Sequence, residues 1–499
     1  MRLLNQITEG LDYTELYAAY SPEGRKPAVE AKIMFKVMAY AYMEMIYSTG
    51  KIEKACRRDI NFMWLLKGES VPDHSTISRF RKNQLGEAMQ GLLIQLVEKL
   101  CEVGEVEYED VFLDGTKIEA NANRYTFVWK KAVEKNEAKM LLKVAGLAKE
   151  IEKIYSVPIA VTKETVNEDM EKMAEFLEKK RQEENIEIVS GSGKRKSNVQ
   201  KLLEELYSYH ERQKGYDESN EAFDGRNSYS KTDKEATFMR MKDDHMRNGQ
   251  LKPAYNVQLA IEAEYVVGAG IFSDCNDIYT LKPTVESILS YSARTIKRLI
   301  ADSGYESEEN YTYLESKGIE YYIKPQNYEQ QKKRSFKKNI GKRENMTYNA
   351  ETDEYTCHNG KQLKPAGTFK RKSSTGYTSE VTVYECESCE GCPHKEKCTK
   401  AKGNRRMEVS KTFVEKRRKS YENITTSLGV QLRMNRSIQS EGAFGVLKED
   451  RQFDRFLTRG KVNVTTELLL LCFGYNVNKL HAKIQGERTG KSLHDVKTA

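Results

Sequence analysis

The segment EDVFLDGTKIEA (109–120) decides the fold that we expect for this chain. Its apolar run VFL is typical of a short buried strand, and we predict that this strand ends at Asp114. The segment RLIADSG (298–304) repeats the pattern, because apolar residues again lead into an acid, Asp302, that small residues follow. Acids at the ends of two core strands can meet at one edge of a sheet. The two segments therefore predict a pair of carboxylates that are distant in the chain and close in space.

The elements around these strands predict a mixed sheet covered by helices. PAYNVQLAIEA (253–263) and EYVVGAGIFSD (264–274) have the composition of two strands joined in a hairpin. An amphipathic helix separates the hairpin from the Asp302 strand, and a further helix precedes the strand IEYYIKP (319–325). The order strand, hairpin, helix, strand, helix, strand implies an α/β fold.

Changes of pattern divide the 499 residues into several segments, as a chain of this length leads one to expect. We predict a helical N-terminal domain at 1–103, the first part of the core at 104–124, an inserted charged helical arm at 125–250, the second part of the core at 251–330, a basic and cysteine-rich insertion at 331–430, and C-terminal helices at 431–499. The arm contains two helical stretches separated by a flexible linker, GSGKRKS (191–197).

The N-terminal domain contains consecutive short helices that fit a helix-turn-helix, with capping residues Asp73 and Ser75 in the segment PDHSTISRFRK. In that arrangement the exposed face of the recognition helix would carry Thr76, Ser78, Arg79 and Lys82. An ordinary helical bundle with a basic rim explains the same pattern, so both interpretations stay open.

The charge balance favours a polyanionic partner without requiring one. Lysine and arginine number 82 against 74 acidic residues, and basic residues concentrate at 332–338 and 416–420. Such runs are also common on solvated surfaces, so charge alone does not decide. The N-terminus lacks the pattern of a signal peptide, and no stretch of about 18 apolar residues occurs. We therefore expect a soluble cytoplasmic protein that does not contact a membrane.

Five of the nine cysteines lie between residues 357 and 398. The run Cys386-x2-Cys389-x2-Cys392-x5-Cys398 has spacings that can close a tetrahedral structural zinc site in a reducing compartment. Iron–sulfur ligation fits less well, because the usual fourth spacing and the following proline are absent. A metal-free cluster of buried cysteines is the remaining alternative.

Several stretches stand in the order found in DDE transposases of bacterial insertion sequences, namely LDGTKIEANANR (113–124), NVQLAI (256–261), LIADSGYES (299–307) and RSIQSEGAFGVLK (436–448). The chain resembles the branch of that family with an N-terminal PDHSTISRFR segment and a cysteine-rich insertion before the catalytic glutamate. The resemblance covers nearly the whole chain.

The resemblance implies an RNase H-like catalytic core in which Asp114, Asp302 and Glu441 hold divalent metal ions, Mg²⁺ or Mn²⁺. It also implies transfer of DNA ends with water and then a 3′ hydroxyl as nucleophiles. Double-stranded DNA, as element ends and as target, is the expected partner, with a homodimer or higher oligomer on DNA. Carboxylates suit this chemistry because hard cations prefer oxygen ligands. An isolated Asp-Gly is more often a turn than a metal ligand. Asp114 is favoured as a ligand because the other family-like stretches occur in the same chain and in the same order.

In the family's pattern a tyrosine, an arginine, the catalytic glutamate and a lysine recur along one helix. Lys448 stands at the expected seven residues after Glu441, which is close to two helical turns and would place both on one face. The arginine is expected four residues before the glutamate, where the chain has Ser437. Arg436 is five before and could serve after a local shift in register, and no tyrosine stands at its place. An exposed helix with dispersed charges is the alternative for this segment.

Other acids compete for the site, and we leave Glu119, Asp274 and Asp277 out of it, because the segment 274–277 is typical of a loop and helix cap. Two other functions also stay open. One is an RNase H-like nuclease without strand transfer, and the other is a DNA-binding protein that has lost catalysis.

Overall fold

The structure is a computed structural model that describes residues 1–21, 27–156, 158, 160–190, 195–241, 249–292 and 294–490. Part of the predicted linker GSGKRKS, residues 191–194, lies outside the described residues, as do residues 491–499. The chain divides into two compact units, one formed by Met1–Ile118 with Tyr255–Ala499 and the other by Glu119–Ala254.

The strands of the described residues are β1 (Asp110–Glu119), β2 (Phe127–Trp129), β3 (Ser228–Ser230), β4 (Thr237–Arg240), β5 (Leu251–Glu262), β6 (Tyr265–Phe272), β7 (Arg298–Ala301), β8 (Glu320–Ile323), β9 (Thr347–Asn349), β10 (Glu354–Thr356), β11 (Gln362–Lys372), β12 (Thr378–Cys386) and β13 (Arg406–Val409).

The α-helices of the described residues are α1 (Arg2–Glu9), α2 (Thr14–Ala18), α3 (Ala31–Met43), α4 (Thr49–Arg58), α5 (Ile60–Leu66), α6 (His74–Arg79), α7 (Leu85–Glu102), α8 (Lys130–Tyr155), α9 (Val166–Glu183), α10 (Asn198–Phe223), α11 (Leu281–Tyr291), α12 (Glu308–Ser316), α13 (Tyr328–Lys332), α14 (Arg334–Lys337), α15 (Lys395–Cys398), α16 (Lys411–Thr425), α17 (Ser427–Arg436), α18 (Gly442–Gly445) and α19 (Lys461–Gln485). Wider π-helical turns cover Phe80–Gln84, Ser437–Glu441 and Val446–Asp450, and 3₁₀ turns cover Asp277–Tyr279, Ser303–Tyr305 and Arg343–Asn345.

The N-terminal region is helical, as its sequence predicts. Nearly every residue of α3 is buried, and this helix packs against α19, whose segment Leu468–Phe473 is buried as well. Helix α6 begins after Asp73, whose carboxylate accepts a hydrogen bond from the Thr76 amide at 2.6 Å, so this predicted cap is confirmed. The prediction that Ser75 caps a helix is wrong, because Ser75 lies inside α6.

The first unit contains the predicted mixed sheet, with the strand order β6-β5-β1-β7-β8. β1 pairs in parallel with β7, β7 pairs in parallel with β8, and β5 and β6 form an antiparallel hairpin. Apolar residues from β1, β7 and β8 pack with α7, α11 and α12 in one core cluster. The predicted order of strands and helices is therefore confirmed.

The prediction that the first core strand ends at Asp114 is wrong, because β1 continues to Glu119. Its parallel partner β7 ends at Ala301, which pairs with Leu113. On its other side β1 has the longer neighbour β5, and past the end of β1 the Ala120 amide still donates to the Pro253 carbonyl at 2.8 Å. Asp114 thus stands where the parallel ladder ends, in the middle of its own strand.

The second unit overlaps the predicted helical arm. Helices α8, α9 and α10 share an apolar core that includes Val144, Ile151, Met170 and Leu206. Strands β2 and β3 pair with each other, and β4 pairs with the first residues of β5, Leu251–Ala254. In the described part of the chain no helix is both long enough and apolar enough to cross a bilayer.

The cysteine-rich insertion contains an antiparallel sheet of order β13-β12-β11-β10-β9, which the sequence did not predict. The hairpin of β11 and β12 is its longest part. After this sheet, α16 and α17 lead into the π-helical turn that ends at Glu441.

Candidate active site

The register of the sheet makes Asp114 and Asp302 neighbours. The last register pair between the parallel strands β1 and β7 is Leu113 with Ala301, and each acid is the next residue of its chain. Both strands are extended there, and Asp302 itself has an extended backbone. Neighbouring strands lie about 4.8 Å apart, and in-register residues point to the same face. The predicted pairing of the two acids is therefore what the register produces.

Each acid is held by the backbone that follows it. One oxygen of Asp114 accepts from the Gly115 amide at 2.9 Å, and one oxygen of Asp302 accepts from the Gly304 amide at 2.7 Å. The second bond starts the 3₁₀ turn Ser303–Tyr305.

Arg436 provides the cation of the site. Its guanidinium donates to the second oxygen of Asp114 at 3.0 Å, and the side chains of Arg436 and Asp114 are only 18% and 14% exposed. The π-helical turn Ser437–Glu441 follows Arg436 directly. In such a turn residue i+5 takes the position that residue i+4 has in an α-helix. The register shift that would let Arg436 serve in place of Ser437 is therefore present.

Glu441 is the last residue of that π-helical turn, and its side chain is exposed. A Cβ atom at Gly442 or Gly445 would meet no atom within 4 Å of the described chain, so packing does not require these glycines. The structure brings Asp114, Asp302 and Arg436 together. Among the described residues, it arranges no three Asp, Glu, His or Cys side chains so that they could hold a metal ion.

The donors at the site nevertheless suit a hard divalent cation. Magnesium is usually held by one or two carboxylates together with substrate phosphates. Asp114 and Asp302 supply two carboxylates on adjacent strands, so the chemistry of the donor set fits Mg²⁺ or Mn²⁺. A guanidinium on Asp114 occupies one of the oxygens that such an ion would use.

Asp277 lies beside this pair, in the segment 274–277, which forms a loop with Asn276 at the N-cap position of a 3₁₀ turn, as we interpreted it. The Asp277 carboxylate accepts from the side-chain amide of Asn256 at 2.8 Å and from that of Gln258 at 3.1 Å. The stretch NVQLAI contains both amides. Only the meeting of β5 with a distant turn identifies their partner.

Tyr305 lies beneath the acids and is fully buried. Burial raises the pKa of Tyr305 well above the usual range, and the negative charges of Asp277, Asp114 and Asp302 raise it further. The positive charge of Arg436 lowers it in part. The phenol is therefore neutral, and it donates a hydrogen bond to the Gln258 carbonyl oxygen.

Two family models match parts of the chain. Residues 1–83 match a family model described as a transposase domain (DUF772), and residues 356–481 match a model described as a transposase DDE domain. Both matches support a DDE transposase of an insertion sequence. The mixed sheet of the chain is accordingly an RNase H-like core. No curated protein and no solved structure was found to match the chain.

The transposase has an open groove of about 500 Å³ next to Asp302. Cationic side chains of Lys324, Arg433 and Arg436 line it together with apolar residues of α17. The Arg433 guanidinium stacks on the ring of Tyr328 at 5.3 Å, which holds this charge in the groove.

Lys448 lies half-buried in the π-helical turn Val446–Asp450. The two regular helical turns that we assumed between Glu441 and Lys448 are therefore not present. The wider turn shifts Lys448 around the helix relative to its place on a regular α-helix.

The DUF772 match covers the residues predicted to read DNA. Arg79 and Lys82 are exposed, but Lys82 lies past the end of α6, in the π-helical turn Phe80–Gln84. Thr76 and Ser78 are half-buried, and Thr76 accepts from the Arg79 guanidinium at 3.4 Å. The choice between a helix-turn-helix and a bundle stays open.

The cysteines of the transposase are divided between two environments. Cys386 and Cys389 are buried in an apolar cluster, and the half-buried Cys357 packs against it. Burial raises the pKa of Cys386 to about 11, and the neighbouring Cys389 acts in the same direction. Cys398 accepts from the Arg405 guanidinium at 3.5 Å, and Cys392 is half-buried. No zinc-type group exists among the described side chains as they stand, so zinc stays a prediction.

Proposed function

We propose that this transposase binds the ends of its insertion sequence, cleaves the DNA by metal-assisted phosphoryl transfer, and joins the ends to target DNA. The observation that carries the proposal is the pairing of Asp114 and Asp302 on adjacent parallel strands, with Arg436 bonded to Asp114. Two carboxylates at one sheet edge, beside an open groove with positive charge, suit a metal-dependent reaction on a phosphate backbone.

Asp114 and Asp302 would hold the divalent ion, Mg²⁺ or Mn²⁺, and Glu441 would complete the ligand set. When bound, the metal stabilises charge on the attacking and leaving oxygens of an in-line displacement. Arg436 connects the helix that bears Glu441 to the strand that bears Asp114. Since the π-helical turn sets residue i+5 near residue i, Glu441 projects from the side of the helix that Arg436 occupies.

The remaining cations suit the binding of DNA. Lys324 and Arg433 line the groove beside Asp302, where they would contact phosphates on either side of the cut. Lys448 would contact a phosphate further along the same helix. Arg79 and Lys82 are exposed on the N-terminal domain and would contribute to recognition of the element ends. A homodimer or higher oligomer on DNA would let two ends be processed together.

The test is to replace Asp114, Asp302 and Glu441 singly by alanine in the full chain. Each variant should lose cleavage of a duplex carrying the terminal repeat, while its melting temperature and its affinity for that duplex stay close to wild type. Asp274→Ala is the matched control, because Asp274 is an exposed acid of the loop before Asp277. A variant that cuts at the normal rate would remove its residue from the ligand set.

The alternative functions give different products in the same assay. A nuclease would release cut ends in Mg²⁺ or Mn²⁺ and never join them to a second duplex. A DNA-binding protein without catalysis would shift the duplex and leave it intact. Cutting that persists in excess chelator would refute the metal-assisted reaction.

A further inference from the structure

A network of buried amides and a half-buried carboxylate, Asp277, lies next to the acid pair. Asn256 and Gln258 are 1% and 0% exposed on β5, the neighbour of β1. Both donate to one oxygen of Asp277, and the Gln258 amide also donates to the Asn256 side-chain oxygen at 2.9 Å. Tyr305 donates to the remaining Gln258 oxygen. The four side chains thus form one connected set.

This network touches the backbone that follows each acid. A Cβ atom at Gly115, next to Asp114, would overlap the Gln258 amide nitrogen and lie 3.0 Å from one oxygen of Asp277. A Cβ atom at Gly304 would lie 3.0 Å from Asp302 and 3.3 Å from the other oxygen of Asp277. The Asp277 carboxylate therefore stands between the two strand ends, with one oxygen toward each.

Such a network is costly unless every member is satisfied. A buried amide without a partner costs roughly 1–3 kcal/mol, and apolar residues of similar volume would carry no such cost. A satisfied network, in return, fixes the positions of its members and of whatever packs on them. What packs on this one is the backbone that holds Asp114 and Asp302.

We propose that Asp277 is a positioning residue that, through Asn256 and Gln258, fixes the spacing of Asp114 and Asp302 and thereby sets the affinity of the site for the divalent ion. The proposal rests on the function proposed above, in which Asp114 and Asp302 hold that ion. Asp277 acts through the backbone of Gly115 and Gly304.

The experiment compares Asp277→Ala with the control Asp274→Ala in the full chain. Manganese binding is measured by titration calorimetry without DNA, and the Mn²⁺ concentration for half-maximal cleavage is measured separately. Groups that orient metal ligands typically affect affinity by 10–100-fold, so Asp277→Ala should bind Mn²⁺ about tenfold more weakly. The cleavage rate should recover at saturating Mn²⁺, and Asp274→Ala should match wild type in both measurements.

Two further variants test the route of the effect. Gln258→Met removes both amide donors at similar volume, and because it breaks the same network, its effect should not add to that of Asp277→Ala. Asp277→Asn keeps an acceptor oxygen for Asn256 and Gln258, so it should lose less affinity than the alanine variant. It also serves as the test variant if Asp277→Ala does not fold.

Unchanged Mn²⁺ affinity in folded Asp277→Ala, or additive effects of the two changes, would overturn the positioning role. So would an Asp277→Asn variant as weak as the alanine variant, since Asp277 would then act as a charged ligand. The Asp114→Ala variant distinguishes a failure of the positioning role of Asp277 from a failure of the proposed metal-dependent function. If Asp114→Ala binds Mn²⁺ and cleaves as wild type does, the acid pair itself is not the metal site.

Discussion

Replacing Arg436 by glutamine should separate metal binding from cleavage. If Asp114 holds the metal as proposed, the Arg436 guanidinium and a divalent ion would compete for the same oxygen of Asp114 when no DNA is present. At 3.0 Å and an effective dielectric constant of about 20, the attraction between the two charges is about 5 kcal/mol before the cost of desolvation. The cost of desolvating the two charges offsets most of this attraction. A net attraction of about 1–2 kcal/mol corresponds to a roughly tenfold change in affinity for the ion.

We therefore expect Arg436→Gln to bind Mn²⁺ about tenfold more tightly than wild type in the absence of DNA. The same variant should cleave more slowly, because the helix that bears Glu441 loses its bond to β1. Titration calorimetry with Mn²⁺ measures the first effect, and cleavage at saturating Mn²⁺ measures the second. Arg433→Gln is the matched control, because Arg433 lies on the same helix and stacks on Tyr328.

The result that refutes this reasoning is an Arg436→Gln variant whose Mn²⁺ affinity equals or falls below that of wild type. The ion pair would then support the metal site and not compete with it. An equal gain in Arg433→Gln would attribute the effect to the general loss of positive charge in the groove.

Three other predictions concern residues outside the acid pair. Lys448→Ala should weaken binding of specific and random DNA alike and lower the slope of log affinity against log salt by about 0.9, and an unchanged slope would exclude a phosphate contact. Burial raises the pKa of Glu262 from 4.5 to about 7, although hydrogen bonds from backbone amides lower it in part. The contribution of Glu262 to stability is therefore complete below about pH 4.5 and is lost as the pH rises through about 7. The wild type should therefore lose up to about 3 kcal/mol of stability through Glu262 between about pH 5 and about pH 8. Thermal melts should show that Glu262→Gln lacks this part of the loss. Elemental analysis of chain purified without added metal should find one zinc per chain, and a content near zero would leave only the buried thiol cluster around Cys386.

The core could be predicted from the sequence because its signals are local. β1 contains a short buried apolar run, and β7 and β8 consist largely of one, with a turn or a helix of its own pattern after β7 and β8. The meeting of Asp114 and Asp302 followed from the rule that in-register parallel strands bring their ends together. Only the end of β1 was misplaced, because the longer neighbour β5 extends the strand beyond the apolar run.

The remaining features depend on contacts between distant residues. Strand β11 exposes nearly all of its residues, so it has no alternation of buried and exposed positions that a sequence pattern could detect. Asp277 follows a strand as any loop acid does, and only its contacts with Asn256 and Gln258 distinguish it from Asp274. Burial of amides on β5 leaves no local signal either, because a buried polar residue interrupts the apolar pattern in the way that a surface residue does.

The spacing around Glu441 shows why a count of residues is an incomplete measure of position on a helix. Arg436 is one residue too far from Glu441 for the family's pattern if the helix is regular. The π-helical turn Ser437–Glu441 takes up the extra residue, and Arg436 reaches Asp114. For Lys448 the spacing agrees with the pattern, but the π-helical turn Val446–Asp450 shifts the residue around the helix relative to a regular α-helix. A matched spacing is therefore weaker support for a role than a contact is, and this is why the Arg436 variant tests the site more directly than the Lys448 variant does.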